Sequence, residues 1–262
     1  MVFAFPSGLN PAMFPLAWLV GKWEGVGEIS YHEEVPTQRI YNVITFTHDG
    51  GPYLKYESVV KILGAGPAEL PGPVLDVQGF DSPEVQALLG RSGGSGPGTA
   101  APPADAGGSA EPNVSADFEA KDAPPGAPYE SENEGQALPS AEEIEAAPVL
   151  SSETGYWRIS PLRDGSMATN EFQLEVFVAN ADGRLMYFNG FGAPARIELA
   201  SAKVVRAALA DDIAGSKRMY GYVQDQLAWA EDLVAYGHDL GSYLSALLVR
   251  TIDGDGNPTA VG

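Results

Sequence analysis

The chain has 262 residues, with 35 Asp+Glu against 15 Lys+Arg and a formal charge of −20. With no Cys and three His, it excludes a disulfide framework, thiolate metal sites and a Cys nucleophile, and leaves too few imidazoles for a multi-His centre. Nor does it carry the Lys/Arg excess that displaces phosphate counterions, so nucleic acid is not an expected partner.

Taken in chain order, Met1 to Gly21 carries no charge. The stretch lacks a basic n-region, and Pro6, Pro11 and Pro15 interrupt any continuous helix, so neither a secretion signal nor a membrane span is expected. It reads as the N-terminus of a cytoplasmic chain, packed on its own domain. Asn10 to Leu19 is the one helix candidate, with Pro11 suited to a first helical position. Next comes Gly21-Lys22-Trp23-Glu24-Gly25-Val26-Gly27, a G-x-W-x-G-x-G element. Gly21, Trp23, Gly25 and Gly27 share one parity and so lie on one face of a strand. Trp23 is expected to plug the closed end of a small barrel. The glycines leave room for tight coiling or a neighbouring chain. Such a set serves the fold before it serves a ligand.

Alternation continues from Ile40 to Thr47, and His48-Asp49-Gly50-Gly51 supplies a turn. Tyr53 to Leu63 then completes a hairpin. At Gly66 the composition changes. Gly66 to Leu150, 85 residues, holds 15 acids, two bases (Arg91 and Lys121), 13 of the 21 Pro and 12 of the 31 Gly. A stretch so poor in apolar residues cannot offset the entropy of ordering, and a disordered acidic insertion is expected over 66–150. Its chemical complement would be a basic protein. The remaining 177 residues carry a net charge of −7. Residues 1–65 and 151–262 are each too short of strands to close a core alone, so they form a single domain interrupted at a loop tip.

Further strand runs follow: Thr154 to Ile159, Ala168 to Val178, Leu185 to Phe191, Arg196 to Ala200, Lys203 to Ala208, Arg218 to Val223, Leu227 to Ala235 and Tyr243 to Thr251. Ten or so short strands with hairpin-length links define an all-β, antiparallel architecture, and closure into a barrel removes the edge strands. Trp157, Tyr187, Phe188, Phe191, Tyr220 and Trp229 are available to line its interior. Asp253 to Asn257 resembles the start of a calcium loop but lacks its closing Glu. The Gly93 to Gly98 run follows no strand and opens no helix, so it is linker.

On these residues the chain resembles the nitrobindin family. The resemblance rests on LAWLVGKWEGVGEISY, FTHDGGPYLKYES, ETGYWRI, RIELAS, RMYGYV and VAYGHDLGSYLSALLVR, in that order. It implies a ten-stranded calycin-like barrel of the lipocalin and fatty-acid-binding type, with heme b in an open mouth. It also implies ferric iron that binds nitric oxide or isomerises peroxynitrite. In the family a His just before the last strand's Leu-x-x-x-Leu run ligates the iron. Here Tyr243 stands at that position, and a second family His is replaced by the Ser151-Ser152-Glu153 stretch. His32, His48 and His238 fall at bends and turns, and none takes over the ligand role.

Tyr243 can coordinate iron only as a phenolate, which needs the metal and usually a nearby cation. Arg250 lies on the same strand with opposite parity. The expected function is therefore a heme-free barrel that takes a small apolar ligand or none, with no cofactor and no isomerase activity. Two alternatives stand beside it: a Tyr243-ligated heme b peroxynitrite isomerase, and an interaction protein acting through the insertion. No membrane is expected as a partner, and the oligomeric state is left open, a homodimer included.

Overall fold

The computed structural model describes residues 5–65, 139–161 and 170–259. Ten strands follow one another as β1 (Gly21–Tyr31), β2 (Val35–Thr47), β3 (Leu54–Ala65), β4 (Val149–Ile159), β5 (Phe172–Asn180), β6 (Arg184–Ala193), β7 (Arg196–Arg206), β8 (Ile213–Val223), β9 (Gln226–Ala235) and β10 (Gly241–Ile252). Each pairs antiparallel with its neighbours in sequence. β1 also pairs with β10, so the sheet closes into a barrel without a free edge. Among the described residues no helix is long and apolar enough to cross a membrane.

The helix expected at Asn10 to Leu19 is a 3₁₀ helix over Pro11–Leu19, capped by the Asn10 side chain on the Ala12 N–H at 3.0 Å. Pro15 lies inside it and can donate no i→i−4 bond, which disfavours the α form. Its buried face carries Met13, Leu16, Ala17, Trp18 and Leu19. These residues join Trp23 in the main core, and the helix seals that end of the barrel.

Several sequence expectations change at the boundaries. The runs Arg196 to Ala200 and Lys203 to Ala208 are one strand, β7, in which the register skips Ala202 between Ser201 and Lys203. A one-residue bulge switches which parity faces inward, so one strand reads as two. The insertion expected over 66–150 also gives up its last residues. Ser140 caps a short helix, α1 (Ala141–Ala146), and β4 begins at Val149. Lys61 donates to the Ile144 carbonyl at 2.7 Å, and Ile62 N–H to Pro148 at 3.0 Å, tying this stretch to β3. The rest of the proposed insertion, 66–138, lies outside the described residues.

Of the aromatics assigned to the interior, Trp157, Phe188, Tyr220 and Trp229 are buried, whereas Tyr187 and Phe191 point outward. The reason is period two: both share the parity of exposed Leu185, and Tyr187 stacks on outward-facing Phe177.

Candidate functional site

The two ends of the barrel differ. At the closed end, Trp23 is fully buried and its indole N–H donates to the Leu19 carbonyl at 2.8 Å. The Arg250 guanidinium lies over the Trp23 ring, 4.3 Å from its centroid, and donates to the Trp18 carbonyl at 2.5 Å. Gly21, Gly25 and Gly27 face inward with Trp23. A Cβ at Gly25 would sit 2.2 Å from the Leu247 carbonyl oxygen, and one at Gly27 2.2 Å from that of Ser245. Only glycine lets β10 approach β1 this closely. These residues close the barrel and leave no room for a ligand.

The opposite end opens on a cavity of about 260 Å³. Tyr243 lies on its wall, placed there by a bulge: Ser242 pairs with Asp232 and Leu244 with Glu231, which leaves Tyr243 between them without a partner in the β9 ladder. Its ring packs edge-on to Tyr31 at 6.5 Å. Tyr31 is anchored in turn, donating to the Leu233 carbonyl at 3.0 Å and accepting from the Ala235 N–H at 3.2 Å.

The same cavity carries a buried ionic cluster. Arg218, 2 % exposed, spends all three guanidinium nitrogens on carboxylates: Nη1 and Nη2 on Glu153 at 2.8 and 2.7 Å, and Nε on Glu231 at 2.9 Å. Tyr56 and Asn180 also donate to Glu153, at 3.2 and 3.3 Å, and Ser216 donates to Glu231 at 2.6 Å. Beside them Trp229 donates to Asn42, which donates to Ser58. Burial opposes charge on both partners of the Arg218–Glu153 pair. Their mutual attraction outweighs it, holding the Glu153 carboxyl below its ordinary range and the guanidinium firmly protonated.

Sequence reasoning singled out Tyr243 but missed this cluster. A signal was present: Glu153 shares the parity of Trp157, Arg218 that of Tyr220, and Glu231 that of Trp229. Period two therefore sends each charge inward alongside an aromatic already assigned to the core. The cavity expected to be apolar has Ile29, Val35, Ile213 and Leu244 on its wall and carries charge as well. Glu34, Glu153, Asp182, Asp211 and Glu231 line it, against Arg184 and Arg218.

The remaining imidazoles lie elsewhere. His32 and His238 stack on each other at 4.1 Å, and His238 Nε2 pairs with Glu34 at 2.9 Å. Neither lines the cavity, and His48 sits in the β2–β3 turn.

A closed antiparallel meander, plugged at one end by Trp23 and open at the other on a lined cavity, defines a ligand-binding barrel of the calycin kind. Residues 12–250 match the family described as "THAP4-like, heme-binding beta-barrel domain". The chain belongs to that family, the nitrobindins. A relative named ferric nitrobindin-like protein, from Beutenbergia cavernae, is 32% identical over 250 residues, covering 95% of this chain and 99% of its own. A peroxynitrite isomerase of Clavibacter sepedonicus is 28% identical over 243 residues, covering 92% of this chain and 94% of its own. The crystal structure of Rv2717c from M. tuberculosis shares the fold, with a TM-score of 0.52 at 20% identity, covering 92% of this chain and 98% of that one.

Heme b calls for an apolar slot and an axial donor. The residues at this mouth do not fit it. The cavity of about 260 Å³ is below the range of about 300–1,000 Å³ that drug-sized ligands occupy, and a porphyrin is larger than most of these. The wall is rich in carboxylates, which repel the propionates of heme. Tyr243, the residue expected at the family's ligand position, offers a phenol in place of an imidazole. Burial, reinforced by Glu231, pushes the Tyr243 hydroxyl well above its usual value near 10. Arg184 pulls the other way without overcoming this.

Proposed function

We propose that this nitrobindin-family barrel does not use heme and that its open end holds a ligand smaller than a porphyrin. The observation that carries the reading is the Glu153–Arg218–Glu231 cluster on the cavity wall that Tyr243 shares. Beyond the iron itself, a phenolate donor is favoured by a neighbouring protein cation. Arg218 is committed to two carboxylates, and Arg184 is bound to Asp182 at 2.5 Å. The strongest charge acting on Tyr243 is the anion Glu231. Both features favour a neutral hydroxyl and an iron-free site, so no peroxynitrite isomerisation is assigned to this chain.

The test is a hemin titration followed in the visible region. The expected result is a colourless purified protein and no defined Soret band on hemin addition. A tight 1:1 Soret transition with a phenolate-to-iron charge-transfer band, lost in Tyr243→Phe, would instead assign heme b to Tyr243. It would also restore the isomerase reading that the 28% identical relative suggests.

A further inference from the structure

We propose that His32 and His238 form a proton-operated clasp at the mouth of the barrel, closed while the pair carries at most one proton and released by the second. The clasp belongs to the rim and does not depend on which ligand the cavity takes, so it stands apart from the heme-free reading.

The two imidazoles come from different hairpins. His32 opens the β1–β2 turn, and His238 lies in the β9–β10 turn. Because β1 pairs with β10, these turns are neighbours on the rim. The rings lie 4.1 Å apart and within 15° of parallel. Both are set edge-on to Tyr31, at 4.6 and 6.1 Å, and the Tyr31 hydroxyl accepts from the Ala235 N–H at 3.2 Å. Each turn also holds a strained residue: His32 and Tyr236 take left-handed φ values of +47° and +52°. Such backbone persists only where the surrounding contacts hold it. A Cβ at Gly241 would lie 3.1 Å from His32 Nε2, so a larger residue there would crowd the ring in its seat.

Charge decides which state holds. His238 Nε2 pairs with Glu34 at 2.9 Å, and both side chains are open enough to solvent to exchange protons freely. The bond to His238 holds the Glu34 carboxyl below its usual range, so Glu34 stays ionised while the imidazoles titrate. The first proton therefore turns the His238–Glu34 contact into an ion pair that spans the two turns. The second places two like charges about 4 Å apart. That is a penalty of about fivefold even with the full screening of water, and more at a protein surface. The other ionisable groups nearby are Glu33 beside His32, Tyr236 and Asp239 beside His238, and Asp211, which acts on Tyr236. Their carboxylates attract protons whether the turns are together or apart. Repulsion between the stacked rings exists only when they are together, and it is this difference that couples the second proton to release. Glu34 and Tyr236 both line the cavity, so separating the turns moves its wall.

Nuclear magnetic resonance of the full chain tests the clasp, with protonation of each imidazole read from its own ring shifts. At about pH 6.5 a proton–proton Overhauser contact between the His32 and His238 rings is expected, and by about pH 4.5, with both rings protonated, it should be lost. Over the same interval the protection of the Ala235 N–H against hydrogen exchange should fall about fivefold or more, while amides beside Trp23 keep theirs. His32→Asn supplies the control, because Asn tolerates the left-handed backbone and carries no titrating group. In that variant Ala235 protection should be the same at both pH values. A ring-to-ring contact that survives double protonation would overturn the proposal, as would its absence at about pH 6.5. An acid loss of Ala235 protection that is equally large in His32→Asn would overturn it too, since the second proton would then not be the cause.

Discussion

Each end of this barrel is organised around one arginine, and the two are used in opposite ways. Arg250, at the closed end, lies over the Trp23 ring and donates to a backbone carbonyl, and among the described residues no carboxylate is bound to it. Burial lowers its pKa. Arg218, at the open end, is pinned among Glu153 and Glu231, and its charge is reinforced rather than opposed. An aromatic partner lets a guanidinium close a structure without adding opposing ions. Carboxylate partners bring in negative charge that exceeds what the arginine neutralises. The closed end is therefore a packed seal, and the open end is a polarised site.

The same substitution at both arginines tests this contrast most sharply. Arg218→Met leaves Glu153 and Glu231 buried, close together and without their cation. It should cost about 3–5 kcal/mol, the usual loss when one member of a buried pair is removed. Arg250→Met keeps apolar contact with Trp23 and strands no anion. It should cost only about 1–2 kcal/mol, the sum of a desolvated cation–π contact and a carbonyl hydrogen bond. Chemical denaturation of both variants gives the comparison, and equal losses would break it. The seal itself depends on the indole. Trp23→Ala should cost about 3–5 kcal/mol, as deletion of a fully buried aromatic does. A loss below about 1 kcal/mol would mean that Trp23 is not the plug.

The ends should also differ in acid. Glu153 is held below its ordinary value near 4.5, because Arg218 outweighs the burial that would raise it. Its contribution to stability is therefore complete above the unfolded value and is lost as pH falls through the lower, folded one. Between about pH 6 and about pH 3 the wild-type denaturation midpoint should fall more steeply than that of Glu153→Gln, measured side by side. Parallel curves would show that the ion pair is not what acid removes.

The closed end was the more legible in sequence, for a physical reason. Trp23 and its glycines lie within one strand, where parity alone assigns their face. The cluster at the open end draws Glu153, Arg218 and Glu231 from three strands, and what matters is that they meet across the barrel. Parity sends each inward, but a charged residue on a strand reads first as solvent-facing, so the aromatic residues of the same parity had to be read with it. Tyr243 was found through family position, while its placement depends on a bulge between Ser242 and Leu244 that no alternation pattern announces. β8 starts at Ile213, ahead of the run expected from Arg218, and the polar but buried Ser216 and Lys217 hide that start in the sequence.

The smallest effect is expected at the segment between β3 and β4, and it fixes where the barrel begins again. Two deletions, each bridged by a short Gly/Ser link, separate the possibilities. Removing 66–138 takes out acidic, Pro- and Gly-rich chain and shortens the connection. Loop closure then favours folding by about 2 kcal/mol at most, so the melting temperature should stay level or rise by a few degrees. Removing 66–150 also takes α1, the first residues of β4, and the bonds from Lys61 to Ile144 and from Ile62 to Pro148. Two such bonds carry about 1–3 kcal/mol, the larger share from the charged donor, which cancels the entropic gain and leaves the longer deletion the less stable of the two. Deletions of equal stability would return the domain boundary to Ser151. Collapse of the 66–138 variant would show that the acidic segment packs on the barrel.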